Sequence, residues 1–196
     1  YGMNISAIIL AAGQSKRMGQ PKLLLPWENT TVLGKVIETI QAAGVEDILV
    51  VTGGARDEVE KIITNYKLRV VHNDNFEHEE MLGSIQLGLK AQKANSEATL
   101  ICLGDQPQVE ERSVRTVIES FRRNKFSIVV PSYQMRRGHP WLIAKELWGE
   151  VLQMAAPESM RDFLNKHNND ILYMEIDTPS ILQDLDTPTD YLKYKP

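Results

Sequence analysis

Three cations, Lys16, Arg17 and Lys22, fall within seven positions of the chain, directly behind Leu10-Ala11-Ala12-Gly13. Two small residues and a glycine let a ligand come close to the backbone, and exposed N–H groups in such a turn can cradle phosphate. Arginine adds a bidentate fork and lysine a point charge. A solvated basic loop is the plainer reading of a lone Lys-Arg pair. The position immediately after an apolar, β-branched run, Ile5–Leu10, turns the reading toward a nucleoside triphosphate site. The two common nucleotide motifs are absent. Ala11-Ala12-Gly13 does not open a G-x-G-x-x-G fingerprint, and Gly19 is followed by Gln20 rather than by the lysine of a P-loop.

Carboxylates recur at two further places. Asp105 stands in Leu103-Gly104-Asp105-Gln106-Pro107, after another apolar run, where it could hold Mg²⁺; that ion takes one or two carboxylates plus substrate phosphates. Gly, Asp and Pro are also turn formers, so a plain turn remains open. Asp186, in Asp184-Leu185-Asp186-Thr187-Pro188, is either a second carboxylate for that metal or a cap for a final helix. If both carboxylates face one metal, two uncompensated anions should repel in its absence.

Arg136-Arg137-Gly138-His139-Pro140 would suit an anionic second substrate, or be an exposed turn. Gly83-Ser84 reads as a helix opening, fit for an anion or a base edge if it is more than a serine cap. Trp27, Trp141 and Trp148 read as packing, and Glu77, His78, Glu79 and Glu80 as a solvated loop rather than a metal site.

These loops need elements to hold them. Ile5–Leu10, Ile48–Thr52, Arg69–Val71, Thr99–Leu103 and Ser127–Val130 are continuous apolar runs, as in strands covered on both faces. Helical patterns lie between them: Thr31–Ala43 ending at Gly44, Asp57–Asn65 with Asp57 as cap, Ser84–Ala91, and Glu111–Arg123. A last helix starts near Pro188 behind Thr187, and 132–140 reads as irregular. Strand and helix in alternation imply right-handed βαβ units, a mostly parallel sheet, and ligands beyond the strands' carboxyl ends. No linker interrupts the pattern. Tyr1 and Gly2 read as a leftover ahead of Met3, leaving one domain over 3–196. With 22 Lys plus Arg against 26 Asp plus Glu, the net charge of −4 offers nothing to nucleic acid or a membrane surface. No apolar run approaches the ~18 residues of a membrane span. The one cysteine, Cys102, excludes an internal disulfide, and a cytoplasmic location is expected.

The stretch Leu10 to Lys22 resembles the L-A-[AG]-G-x-S-x-R-M-G-x-x-K signature of MobA-like nucleotidyltransferases, which include molybdenum cofactor cytidylyltransferases and guanylyltransferases. Gly104-Asp105-Gln106-Pro107, Arg137-Gly138-His139-Pro140 and Asp184 to Pro188 match in family order, and the resemblance runs from Met3 to Tyr194. It implies an α/β, Rossmann-like three-layer nucleotidyltransferase fold with a mostly parallel mixed sheet, Mg²⁺ dependence, and transfer of a nucleotide from NTP to a phosphorylated pterin. It implies that Leu10, Ala11, Ala12, Gly13, Ser15, Arg17, Lys22 and Ser84 bind the nucleotide. Arg17 and Lys22 act on its phosphates, and Asp105 and Asp186 hold the metal. Arg137, His139 and Arg161 face the acceptor. Ala12 is similar to the cytidylyltransferase branch, where the guanylyltransferase branch usually has glycine, so CTP is expected over GTP. The family's G-D-x-G-A-R segment stands here as Pro157-Glu158-Ser159-Met160-Arg161, with Arg161 alone matching. Other phosphorylated acceptors, or an NTP-binding accessory role beside a molybdoenzyme or its chaperone, are the alternatives.

Overall fold

A run such as Ile5–Ala11 has no polar face to give to water, so it folds stably only with protein on both sides. In the computed structural model, which describes residues 2–13, 19–77 and 81–196, that is its setting. The described chain forms β1 (Ile5–Ala11), the two-residue strands β2 (Pro26–Trp27) and β3 (Thr30–Thr31), α1 (Val32–Ala42), β4 (Ile48–Thr52), α2 (Arg56–Thr64), β5 (Arg69–His72), α3 (Met81–Lys90), β6 (Ala98–Leu103), α4 (Glu111–Arg123), β7 (Ile128–Tyr133), β8 (Arg136–Arg137), β9 (Trp141–Ala144), α5 (Trp148–Gln153), α6 (Met160–Lys166), β10 (Ile171–Glu175) and α7 (Pro188–Tyr194). Ser15 and Arg17 lie outside the described residues, as do His78, Glu79 and Glu80.

The main sheet has the order β10-β7-β9-β6-β1-β4-β5, with β8 paired to β7. β1 is parallel to β4 and β6, β4 to β5, and β10 to β7; β9 runs antiparallel between β6 and β7. Alternate side chains of β1 enter two cores. Ala7, Ile9 and Ala11 pack with α1, α2 and α4 on one face. Ile8 packs with α3, α5 and α6 on the other. The chain runs from β1 outward to β5 and returns to the other side of β1 as β6. The order therefore reverses between β1 and β6, the kind of place where open α/β sheets bind ligands.

Capping explains several boundaries. Thr31 accepts the Gly34 N–H at the start of α1, and Gly44, at φ +93°, follows its end. α4 buries Ser113, Val114, Val117, Ile118 and Phe121 at helical spacing. Thr187 and Asp190 form a reciprocal capping box on α7, with Pro188 in the first turn.

Three sequence expectations are corrected. α2 starts at Arg56 behind Ala55, which makes no side-chain cap, and Asp57 lies in the first turn, where its charge favours the helix dipole. α3 starts at Met81, so Ser84 is a buried residue inside the helix rather than at its opening. The 132–140 segment is not irregular. β7 continues to Tyr133, turns through Gln134 and Met135 at φ 47° and 67°, and returns as β8, with Ser132 facing Arg137. Among the described residues no helix is long and apolar enough to cross a membrane.

Candidate functional site

Asp105 owes its place to Gly104. The Gly104 N–H donates to the Leu10 carbonyl at 3.0 Å, and a Cβ there would lie 2.8 Å from that oxygen. Only a glycine lets β6 leave the sheet so tightly against β1. The 184–186 turn then docks on the same point: Leu185 is fully buried, and its N–H donates to the Asp105 carbonyl at 3.3 Å. Capping of α7 falls to Thr187 and Asp190, so the Asp186 carboxylate is not taken up as a cap.

Lys22, at the start of a short 3-10 turn behind the basic loop, points into this junction. Its Nζ lies 2.7 Å from Asp105 Oδ2 and 3.5 Å from Asp186 Oδ1. The two carboxylate oxygens are therefore no more than about 6 Å apart. The expectation of uncompensated repulsion is corrected in part: Lys22 offsets one of the two charges and leaves the pair net negative. The negative field registers instead on Asp184, which the sequence reading passed over. Burial first, then the charges of Asp105 and Asp186, push its carboxyl up to about 6, against lowering by the Gln106 hydrogen bond and Lys22. Gln106 Nε2 donates to Asp184 Oδ1 at 2.6 Å. The alternation Asp-Leu-Asp around a buried leucine was the signal that both acids flank one anchor.

This donor set fits a small hard cation. Among the described residues no three His, Cys, Asp or Glu side chains form a metal cage. Mg²⁺ does not need one: it binds through one or two carboxylates, with phosphate and water oxygens completing its octahedron. Asp105 and Asp186 would be those carboxylates, and the Lys22 ammonium already marks their preference for positive charge.

Ala11, Ala12 and Gly13 lead out of β1 beside this junction. Ala12 is wedged against Gly53, where a Cβ would come within 2.3 Å of the Ala12 carbonyl oxygen. Among the described residues a Cβ at Gly13 would meet nothing within 4 Å. Ser84 Oγ accepts from Asn73 Nδ2 at 3.0 Å, both residues being buried. Ser84 therefore braces the loop after β5.

Arg137 and His139, from one sequence motif, and Arg161, from a separate segment, line one cavity of about 930 Å³. Arg136, Trp141 and Tyr173 share its wall. Arg137 comes from β8, His139 from the entry to β9, and Arg161 from the first turn of α6. His139 stacks on Trp141 with ring centres 4.3 Å apart. Burial pushes the His139 imidazole down to about 3, so it is neutral at ordinary pH. His139 Nε2 and Trp141 Nε1 are buried without hydrogen-bond partners among the described residues. Such atoms are uncommon, and each costs roughly 1–3 kcal/mol until a ligand or water satisfies it. Tyr173, Asn165 and Asn168, which hold Arg137, were missed because no sequence pattern ties them to it. Cys102 is buried and free, and burial raises its thiol far above the usual range.

The chain as a whole is similar to known proteins. The molybdenum cofactor cytidylyltransferase of Escherichia coli K12 is 31% identical over 193 residues, covering 97% of this chain and 95% of that protein. A probable molybdenum cofactor guanylyltransferase of Natranaerobius thermophilus is 29% identical over 65% of this chain and 60% of its own. The manganese complex of the Rv0371c protein from Mycobacterium tuberculosis H37Rv superposes with a TM-score of 0.80 at 26% identity, covering 97% of each chain. The model of the MobA-like NTP transferase domain matches residues 7–171. The β1 turn, the Asp105 junction and the basic cavity thus lie in a nucleotidyltransferase enzyme, and the chain belongs to the MobA-like NTP transferase family.

Proposed function

We propose that this enzyme transfers CMP from CTP to the terminal phosphate of the molybdopterin cofactor, with Mg²⁺, and releases pyrophosphate. The observation that carries the reading is the joint placement of Lys22, Asp105 and Asp186 at the reversal of strand order, with the cavity of Arg137, His139 and Arg161 opening from the same edge of the sheet.

The chain's part is positioning and charge. The turn Leu10 to Gly13 receives the nucleotide against the backbone, with Ser15 and Arg17 next in the chain, and the Ala12 methyl narrows the space beside the base so that a pyrimidine fits better than a purine. Lys22 presents its ammonium to the triphosphate, where negative charge grows on the leaving pyrophosphate. Asp105 and Asp186 would hold Mg²⁺, which would supply neutralisation of phosphate charge. Arg137 and Arg161 orient the acceptor phosphate, one oxygen of which attacks the α-phosphorus as the bond to pyrophosphate breaks. A phosphate monoester is about nine-tenths dianionic at neutral pH, so no side chain has to remove a proton. His139, held neutral, serves to position the acceptor. Catalysis of this kind rests on preorganised charge.

The test is pyrophosphate release with each of the four NTPs, molybdopterin cofactor and Mg²⁺. Turnover with CTP well above GTP is expected. A clear preference for GTP, or turnover only with another phosphorylated acceptor, overturns the assignment.

A further inference from the structure

Arg137 is fixed at three points. Its Nε donates to the Tyr173 hydroxyl at 3.0 Å, Nη1 to Asn165 Oδ1 at 2.8 Å and Nη2 to Asn168 Oδ1 at 3.2 Å. The Tyr173 hydroxyl donates onward to Asn168 Oδ1 at 2.7 Å, and the guanidinium carbon lies 5.9 Å from the Tyr173 ring centre. The three partners come from α6, the turn after it and β10. All of them are uncharged.

That choice of partners is informative. Arg56, Arg69, Arg112, Arg115 and Arg123 each pair with a carboxylate, and Arg122, Arg136 and Arg161 make no ion pair among the described residues, but Arg137 alone of these is held by three uncharged side chains. Arg137 makes no ion pair among the described residues. Acids are near enough in the chain to have served. Glu175 lines the same cavity but accepts from the Gln134 N–H at 3.4 Å; Asp162 closes the capping box on α6; Asp170 faces His167 Nδ1 at 3.9 Å. A carboxylate would hold an arginine more firmly than an amide oxygen does, but it would cancel the charge. Two amides and a phenol immobilise the guanidinium, leave its full charge in place, and leave two of its five N–H donors for a ligand.

We infer that Tyr173, Asn165 and Asn168 are positioning residues that hold Arg137 ready for a dianionic group of the phosphate class at this end of the cavity. The inference rests on the acceptor reading of the cavity given above. It makes the uncharged character of the brace, rather than its mere presence, the determinant of anion binding.

The test titrates inorganic phosphate into the full-length, ¹⁵N-labelled protein and follows the Arg137 Nε–Hε resonance. In the unaltered protein a sharp resonance that shifts with phosphate is expected. Asn168→Asp keeps the acceptor oxygen and adds a charge. A brace with only a structural role would be as good or better with it. The inference expects phosphate affinity to fall at least about threefold and below that of Asn168→Ala, while the resonance stays sharp. Asn165→Asp makes the same comparison from α6 if Asn168→Asp does not fold. Phosphate affinity in the Asp variants equal to or above that of the unaltered protein, or no Arg137 shift in the unaltered protein, overturns the inference. The titration uses neither pterin nor nucleotide, so it can succeed where cytidylyl transfer fails, and fail where transfer succeeds.

Discussion

The two ends of the cleft each present one long cation, in opposite company. Lys22 lies between Asp105 and Asp186, with Asp184 close behind. Arg137 lies among a phenol and two amides, with Arg136 and Arg161 on the same cavity wall. The first end sets one cation among three acids, so it coheres through Lys22 and still carries net negative charge. Among the described residues the second sets three arginines against Glu175, an excess of positive charge that an incoming anion would offset. A chemistry that needs a divalent cation at one end and a phosphate dianion at the other would impose that difference.

The acidic end is where a single change should matter most. Asp105→Asn keeps the size and the hydrogen-bonding capacity of the side chain but removes a charge from the proposed metal set. Turnover should fall at least ~10²-fold, the scale on which preorganised charge acts, with the circular dichroism spectrum unchanged. A folded Asn variant with near-native activity would remove Asp105 from the metal and leave it as the partner of Lys22.

Lys22→Ala comes next. It strips both carboxylates of their counter-charge and the triphosphate of an ammonium. Hydrogen bonds to charged groups are worth ~1.5–3 kcal/mol, so kcat/KM for the NTP should fall about 30-fold. Cytidine, which has no phosphate, should bind as before. Equal losses for nucleoside and triphosphate would assign Lys22 to holding the acids together and nothing more.

At the basic end, Arg137→Gln should raise KM for the acceptor about tenfold, near the lower limit for a charged hydrogen bond, with KM for the NTP unchanged. A rise in both would mean that the two ends are not separate, and the comparison would lose its meaning.

The sequence showed the acidic end more fully than the basic one. β1, β4 and β6 are long, continuous and β-branched, and the chemistry sits in the first residues past their ends, so that reading a strand also locates Gly13 and Asp105. The basic end depends on β8, β9 and β10. β8 has two residues and β9 four, too few to show a period. β8 exists because Gln134 and Met135 take left-handed backbone, which neither residue type announces. The brace on Arg137 joins positions 28 to 36 residues apart across α6 and β10, a contact made by tertiary packing alone. Ser84 was displaced for a different reason: α3 begins three residues earlier, at Met81, and the residues before it, 78–80, lie outside the described structure.

The smallest predicted effect tests the charge of the cavity through its histidine. His139 is stacked on Trp141, and among the described residues its Nε2 has no hydrogen-bond partner and the cavity around it carries Arg136, Arg137 and Arg161 against one acid, Glu175. A proton on His139 would add one more charge to a wall already positive. In the unfolded chain the imidazole titrates near its ordinary value of 6.5; in the fold, burial lowers it to about 3. Below pH 6.5 the unfolded state therefore takes up a proton that the folded state refuses, and stability falls as pH falls. From pH 7 to pH 6 the loss from this one group is about 0.7 kcal/mol, roughly threefold in the folding equilibrium. His139→Gln should be less stable at pH 7 if its amide packs poorly, but should lose that much less on going to pH 6. The rest of the chain is the same in both proteins, so the difference between the two pH dependences, read from urea midpoints and slopes, isolates His139. Identical pH dependences with and without His139 would mean that its proton already has an acceptor in the cavity, and that the basic end is better compensated than its arginines suggest.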